Sequence, residues 1–186
     1  SSEQPADYVF LGSKLTLGSP SGQVAIQGER VTVSNLKLDA FDGPVAGDIN
    51  YLGGGKLAGE LNWTKLSIPD LTSAYGFQMK GGGSVTGRIN FSLSDSKVET
   101  MSGTGLLALE NAELFSVPMF GPLTPLVGGV LNDENVGVQR AKDAFCTFEI
   151  KDGILSTKDL QTSTNSLNFA GNGSVDMKEQ TLDMTM

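Results

Sequence analysis

The sequence predicts a mainly β protein: an elongated, twisted or curved antiparallel sheet built from repeated units, with one or two short helices. Three observations carry this expectation. Apolar residues alternate with polar ones at period two over most of the chain after Val24. Glycine is abundant, 24 residues against 7 prolines, and clusters between the alternating runs, which is the punctuation of an all-β chain. Parts of the sequence also repeat.

Residues 1–23 read as an N-terminal arm with short strands around Tyr8–Leu11 and Leu15–Leu17. From Val24 the alternation is regular: Val24 and Ile26, Val31 and Val33, then Leu36 and Leu38, with Asn35 at a shift of phase that predicts a bulge or bend in one long strand. Val45, Ile49 and Tyr51 follow, then a turn at Gly53-Gly54-Gly55, then a strand carrying Leu57, Leu61 and Trp63 to Leu66. Pro69 to Phe77 reads as a short helix with proline in its first turn. After Gly81-Gly82-Gly83, strands are predicted through Val85, Ile89, Phe91 and Leu93, and through Leu107 and Leu109. Phe120, Leu123, Val127 and Leu131 fall at helical spacing, so Val117 to Leu131 is a second helical candidate, kinked or split by Pro125. The β pattern then returns through Phe148, Ile150, Leu155, Leu160, Leu167, Phe169, Val175, Met177, Leu182 and Met184.

Gly28-(x7)-Leu36-(x10)-Gly47 is matched by Gly153-(x6)-Leu160-(x10)-Gly171, with Ala46 and Ala170 before the last glycine, and Asn35 and Asp159 before the leucine. Gly59-x-Leu61-x-Trp63 is matched by Gly105-x-Leu107-x-Leu109. Each leads to a similar helix start, Ser67-Ile68-Pro69 and Ser116-Val117-Pro118. Residues 24–186 therefore read as one domain with units at about 24–80, 82–140 and, incomplete, 144–186. Such units stack sideways, because one alone cannot bury its apolar face. The alternating run at Met186 reads as continuing into further β-structure, with an open strand edge there.

Several function classes find no support. A net charge of −8 argues against nucleic acid, whose phosphates require clustered Lys and Arg, and against electrostatic adhesion to anionic head groups. The chain has no histidine, which removes the Ser-His-Asp and Cys-His nucleophile systems and the usual zinc sites. Its one cysteine, Cys146, alternates with Ala144, Phe148 and Ile150 and reads as a structural thiol. Gly103-x-Gly105-x-x-Ala108 has the letters of a dinucleotide fingerprint, but within a strand that no helix follows. Asp39, Asp42, Asp133, Glu134, Asp152 and Asp183 are scattered and mostly adjoin Gly or Asn, which is turn usage rather than paired acid catalysis. No catalytic residue, metal or cofactor is expected. The uncharged stretch Phe115 to Asn132 is too short and too rich in proline to span a bilayer.

The stretch Ser102-Gly-Thr-Gly-Leu-Leu-Ala-Leu-Glu-Asn-Ala-Glu-Leu-Phe-Ser-Val-Pro118 resembles the C-terminal region of AsmA-like proteins. So do Ala144-Phe-Cys-Thr-Phe-Glu-Ile-Lys-Asp-Gly153-Ile-Leu, Asp159-Leu160, Leu167-Asn-Phe-Ala-Gly-Asn-Gly-Ser-Val-Asp176 and Gln180-Thr-Leu-Asp183. The likeness covers Gly82 to Met186 directly, and Val24 to Gly82 through the repeat. It implies a taco-like β-groove of the repeating lipid-transfer kind, periplasmic and anchored in a bacterial inner membrane by a helix outside this sequence. It also implies phospholipid acyl chains as cargo, a role in outer-membrane maintenance, and flanking β-repeats or other envelope proteins as partners. It supplies no catalytic residues.

On that expectation the groove lining is Val31, Val33, Ile49, Leu61, Trp63, Ile89, Phe91, Leu107, Leu109, Phe148, Ile150, Phe169 and Val175. Phe120, Leu123, Val127 and Leu131 would be either a plug completing the core or a movable cap. The rival function is a scaffolding β domain with a filled core that works through protein contacts. Alternation alone does not separate the two, since a packed core and a lipid groove require the same pattern.

Overall fold

The computed structural model describes residues 6–10, 13–74, 82–95, 97–112, 115–118, 138–164, 168–179 and 181–185. The fold is mainly β, an open antiparallel sheet with one α-helix among the described residues. Its strands in chain order are β1 (Ala6–Phe10), β2 (Ser13–Gln27), β3 (Arg30–Ala40), β4 (Gly43–Gly53), β5 (Lys56–Ser67), β6 (Ser84–Leu93), β7 (Ser102–Glu110), β8 (Phe115–Pro118), β9 (Val138–Ala141), β10 (Asp143–Lys151), β11 (Ile154–Ser163), β12 (Asn168–Asp176) and β13 (Thr181–Thr185). Eleven of them form one sheet in the order β1-β2-β3-β4-β5-β6-β7-β10-β11-β12-β13, while β8 and β9 pair only with each other. Sequential neighbours are spatial neighbours, so the sheet is a meander of hairpins interrupted once, between β7 and β10.

Tight turns make the meander. Phe41-Asp42 joins Ala40 to Gly43 with both residues at positive φ (49° and 60°), as do Gly54-Gly55 (58° and 73°) and Asp152-Gly153 (50° and 77°). Two successive residues in this region make the hairpin turn whose twist matches the strands. A bulky residue there is strained. Phe41 is held by packing on the cluster of Leu66, Ile68, Val85 and Ala112, and its carbonyl accepts Ser67 N–H at 2.7 Å.

The phase shift at Asn35 is a bulge. Val33 lies opposite Ile49, but Leu36 lies opposite Gly47, so Ser34 and Asn35 together face Asp48. Asn35 takes φ 53° and donates its N–H to Asp48 Oδ1 at 2.9 Å. The extra residue returns Leu36, Leu38 and Ala40 to the face occupied by Val31 and Val33. The device recurs in β5 between Trp63 and Leu66, where Lys65 (φ 52°) donates to Thr86 Oγ1 at 3.0 Å, and in β11 between Thr157 and Leu160.

Helix α1 (Ile68–Ala74) begins one residue before the predicted Pro69. Ser67 caps it, its Oγ accepting Asp70 N–H at 3.3 Å. Its predicted continuation to Phe77 lies outside the described residues. The second helical candidate needs correction at its start. Val117 and Pro118 belong to β8, paired with Gln139 and Val138. Val138 and Gln139 are therefore strand, and residues 119–131 lie outside the described residues. The boundary expected between residues 23 and 24 falls inside β2, a strand of 15 residues.

The main cluster of buried side chains lies at one end. Leu66, Ile68, Val85 and Ala112 form the buried cluster, with Phe41, Val45, Trp63, Leu107 and Leu109 packed against it.

Three variants test this account. Deleting Asn35 moves Leu36, Leu38 and Ala40 to the opposite face, so the variant should lose its cooperative unfolding transition in a urea titration. In Gly105→Val, the new side chain would meet the Arg88 carbonyl and the Phe148 ring. It should cost about 1–3 kcal/mol in the same titration. Gly82→Ala, where nothing lies within 4 Å, should change stability by less than about 0.5 kcal/mol.

Candidate functional site

Residues opposite each other in an antiparallel pair share a face, so the registers can be read across the sheet. One row runs Val33, Ile49, Gly59, Phe91, Gly103, Ile150, Leu155, Val175. The next runs Leu36, Gly47, Leu61, Ile89, Gly105, Phe148. A third runs Leu38, Val45, Trp63, Gly87, Leu107, Cys146. Val31, Tyr51, Leu57 and Leu93 form a row on the outer side of the first. On the inner side, Val85, Leu109, Ala144, Thr162 and Phe169 line up. Every predicted lining residue thus lies on a single apolar face, while Asp48, Glu60, Asn62, Arg88, Asn90, Thr104 and Glu149 occupy the other.

The glycines explain the shape of that face. A Cβ on Gly59 would stand 2.5 Å from Asp48 O, and one on Gly87 would stand 2.6 Å from Leu106 O and 2.7 Å from the Trp63 ring. Gly47, Gly103 and Gly105 would collide with the backbone oxygens of Glu60, Asn90 and Arg88. All five point to the apolar face. A sheet can coil toward one face only where the Cβ atoms on that face leave room, so these positions let the strands curl around the apolar side. Aromatic rings cover the gaps: Trp63 lies over Gly87, Phe91 over Gly59 and Phe148 over Gly105.

The apolar face is unevenly covered. The end near α1 is closed by the buried cluster, which includes Trp63, Leu107 and Leu109 as partly buried members. Phe148 and Ile150 are also buried, at 6% and 4% exposure, and are core rather than open surface. The other predicted lining residues, Val31, Val33, Ile49, Leu61, Ile89, Phe91, Phe169 and Val175, are half-buried. At the β2 border, Val24 and Ile26 stand 64% and 70% exposed. Leu36, Leu57, Leu93, Leu155 and Leu160 belong to the same face and were findable from the same alternation. Phe120, Leu123, Val127 and Leu131 lie outside the described residues, between the paired Pro118 and Val138.

Polar chemistry on this side is sparse. The Cys146 thiol is half-buried, and desolvation pushes its pKa above 9.0, with a smaller lowering by the Thr157 hydrogen bond and a raising by the Asp159 charge. It is therefore a protonated thiol at neutral pH. Asp159, at the β11 bulge, accepts Thr147 Oγ1 at 2.7 Å, Thr147 N–H at 2.9 Å and Thr157 Oγ1 at 3.1 Å. The Thr147 hydroxyl bond, then its N–H bond, holds this carboxyl below the ordinary 3.8. Among the described residues no group of His, Cys, Asp and Glu is placed to hold a metal ion. No described helix is long and apolar enough to cross a membrane.

No family model matches the chain, no curated protein is a match, and no solved structure matches it.

The Asp159 geometry sets a pH dependence. A carboxyl whose folded pKa is depressed contributes stability above its unfolded value, near 3.8, and loses it as pH falls through the folded value. Asp159→Asn should therefore lower the melting temperature at neutral pH and narrow the gap to wild type as pH drops below 3.8, measured by thermal melts across the acid range. A gap that widens in acid would contradict the assignment.

Proposed function

We propose that this chain shields phospholipid acyl chains in an open apolar trough, without chemistry of its own. In this reading it is a periplasmic segment of an inner-membrane-anchored, AsmA-like envelope protein that serves lipid movement between the two membranes and outer-membrane maintenance. The observation that carries the reading is the single apolar face shared by the strands of one open sheet, half-buried along Val31, Val33, Ile49, Leu61, Ile89 and Phe91, though closed at its α1 end and buried at Phe148 and Ile150. Half-buried apolar side chains arrayed along one face gain by meeting something apolar.

The dimensions suit an acyl chain. Eleven strands at about 4.8 Å spacing extend roughly 48 Å across the sheet. One leaflet's hydrocarbon is about 15 Å deep. Each acyl CH₂ gains about 0.8 kcal/mol on leaving water, so a ~16-carbon tail faces on the order of 12 kcal/mol in crossing an aqueous gap unprotected. A trough open along its length lowers that cost through non-directional contact, which accommodates different tails. Its chain-wide charge of −8 fits a site that recognises the tail rather than an anionic head group.

The test is lipid content. Native mass spectrometry of the purified chain should show bound phospholipid, and labelled phosphatidylethanolamine from vesicles should bind it. Ile49→Asp with Ile89→Asp places two carboxylates at half-buried positions of the face that cover no glycine, where water still reaches them. Binding should fall roughly tenfold or more, with the strand spectrum retained. Val85→Asp, in the closed cluster at 6% exposure, should instead unfold the chain. A folded wild type that never carries or takes up lipid would overturn the proposal and favour a scaffold.

A further inference from the structure

The border of the sheet at β2 is built differently from the border at β13. β1 pairs only with Ser13–Leu17 of β2, so along Gly18–Gln27 the outer side of β2 has no strand partner among the described residues. Residues 22–30 are all exposed. Natural sheet edges are blunted with charge, proline or bulges. β13 carries the exposed Asp183 mid-strand. β2 has no charged residue between Lys14 and Glu29, and its Pro20 and its register shifts lie before Gln23. The stretch Gln23–Gln27 is a bare, regular edge that presents two large apolar side chains, Val24 and Ile26.

We infer that this edge pairs, antiparallel, with the same edge of a second copy of the chain, about a two-fold axis at Ala25. Gln23-Val24-Ala25-Ile26-Gln27 reads nearly the same in both directions. A two-fold at Ala25 sets Val24 against Ile26 of the other copy, Gln23 against Gln27 and Gly22 against Gly28. This self-complementarity is what an isologous interface requires. No like charges are opposed, since Glu29 meets Ser21 and Arg30 meets Pro20, where the bulge ends the ladder. Val24 and Ile26 lie opposite Val33 and Val31 within the chain, so they belong to the apolar face. The two-fold of an antiparallel pair is perpendicular to the sheet and keeps faces matched. The pairing therefore joins the two apolar faces into one continuous surface. β1 does not obstruct it, because its register ends at Leu17. The inference rests on the edge alone and holds whatever the trough carries.

Sedimentation velocity over a concentration series should show a monomer–dimer equilibrium. Val24→Lys with Ile26→Lys would oppose lysine to lysine across the axis. It should move the dimerisation midpoint at least about tenfold to higher concentration, its circular dichroism spectrum should match wild type, and its melting temperature should match that of wild type at concentrations where wild type is monomeric, because both positions are exposed. Geometry is tested separately by Ala25→Cys in a Cys146→Ser background with oxidised glutathione. Self-opposed residues lie about 4.5–5.5 Å apart at Cα, within the span of a disulfide, so a covalent dimer should form. Thr185→Cys, on the β13 edge, should give none in the same background. A monomer at every concentration, a dimer indifferent to the lysine pair, or cross-linking as efficient at Thr185 as at Ala25 would each overturn the inference.

Discussion

The fold depends on keeping one face of a very wide sheet apolar from the first long strand to the last. Side chains alternate with period two, so a single-residue slip anywhere moves every later apolar side chain in that strand to the wrong side. The chain contains such slips: Val33 to Leu36, Trp63 to Leu66 and Thr157 to Leu160 are each three apart. A bulge at each one absorbs the odd residue. The first two are fastened alike, by a residue at positive φ whose N–H goes to a side chain on the next strand, Asp48 or Thr86. In the third, Asp159 turns instead toward β10 and accepts both bonds from Thr147. Bulges also increase local twist, so the same correction that preserves the apolar face helps bend it.

Curvature follows from the second half of that arrangement. Glycines stand on the apolar face where a Cβ would meet a neighbouring carbonyl, and aromatic rings from adjacent strands cover three of them. Gly87 beneath Trp63 and Gly105 beneath Phe148 show the exchange most plainly. The glycine leaves room for the strand to coil, and the ring restores apolar contact that glycine cannot make. The conventional core is small: four buried residues by α1 with the flanking side chains that lean on them, and Phe148 and Ile150 farther along the sheet. Phe41 shows that this end cluster matters, since it holds a strained turn in place.

Much of the architecture was legible because it is written in local pattern. Alternation located the strands, the Gly53-Gly54-Gly55 turn and the common face of the lining residues, and the phase shift at Asn35 announced its bulge. The bulge at Lys65 was not legible, because lysine has no special preference for positive φ and Thr64-Lys65 reads as ordinary polar surface. The turn at Phe41-Asp42 was hidden for the same reason, since its strain is offset by tertiary packing rather than by residue choice. Val117 and Pro118 were misassigned to a helix because proline suits a first helical turn. They lie instead in a two-stranded ladder formed with residues about 20 positions away, and no local window contains that partner. Alternation likewise could not separate open from closed parts of the face. Phe148 and Ile150 alternate like Ile89 and Phe91, yet the first pair is buried and the second half-buried.

A sheet of this kind carries two unmet demands, and they are orthogonal. Half-buried apolar side chains across the face remain in contact with water, which weakens the main force available for folding. The bare β2 edge leaves backbone donors and acceptors without a strand partner. The first demand is met by anything apolar that lies in the trough, and it is indifferent to sequence and direction. The second is met only by another extended backbone, and its register is set by the side chains that flank it. Because one acts perpendicular to the sheet and the other within its plane, satisfying either leaves the other accessible. Edge pairing would extend the very surface that needs covering, so a longer trough and a more stable sheet arise together. The absence of charge from residue 15 to residue 28 favours both, since a lysine there would blunt the edge and interrupt the apolar border.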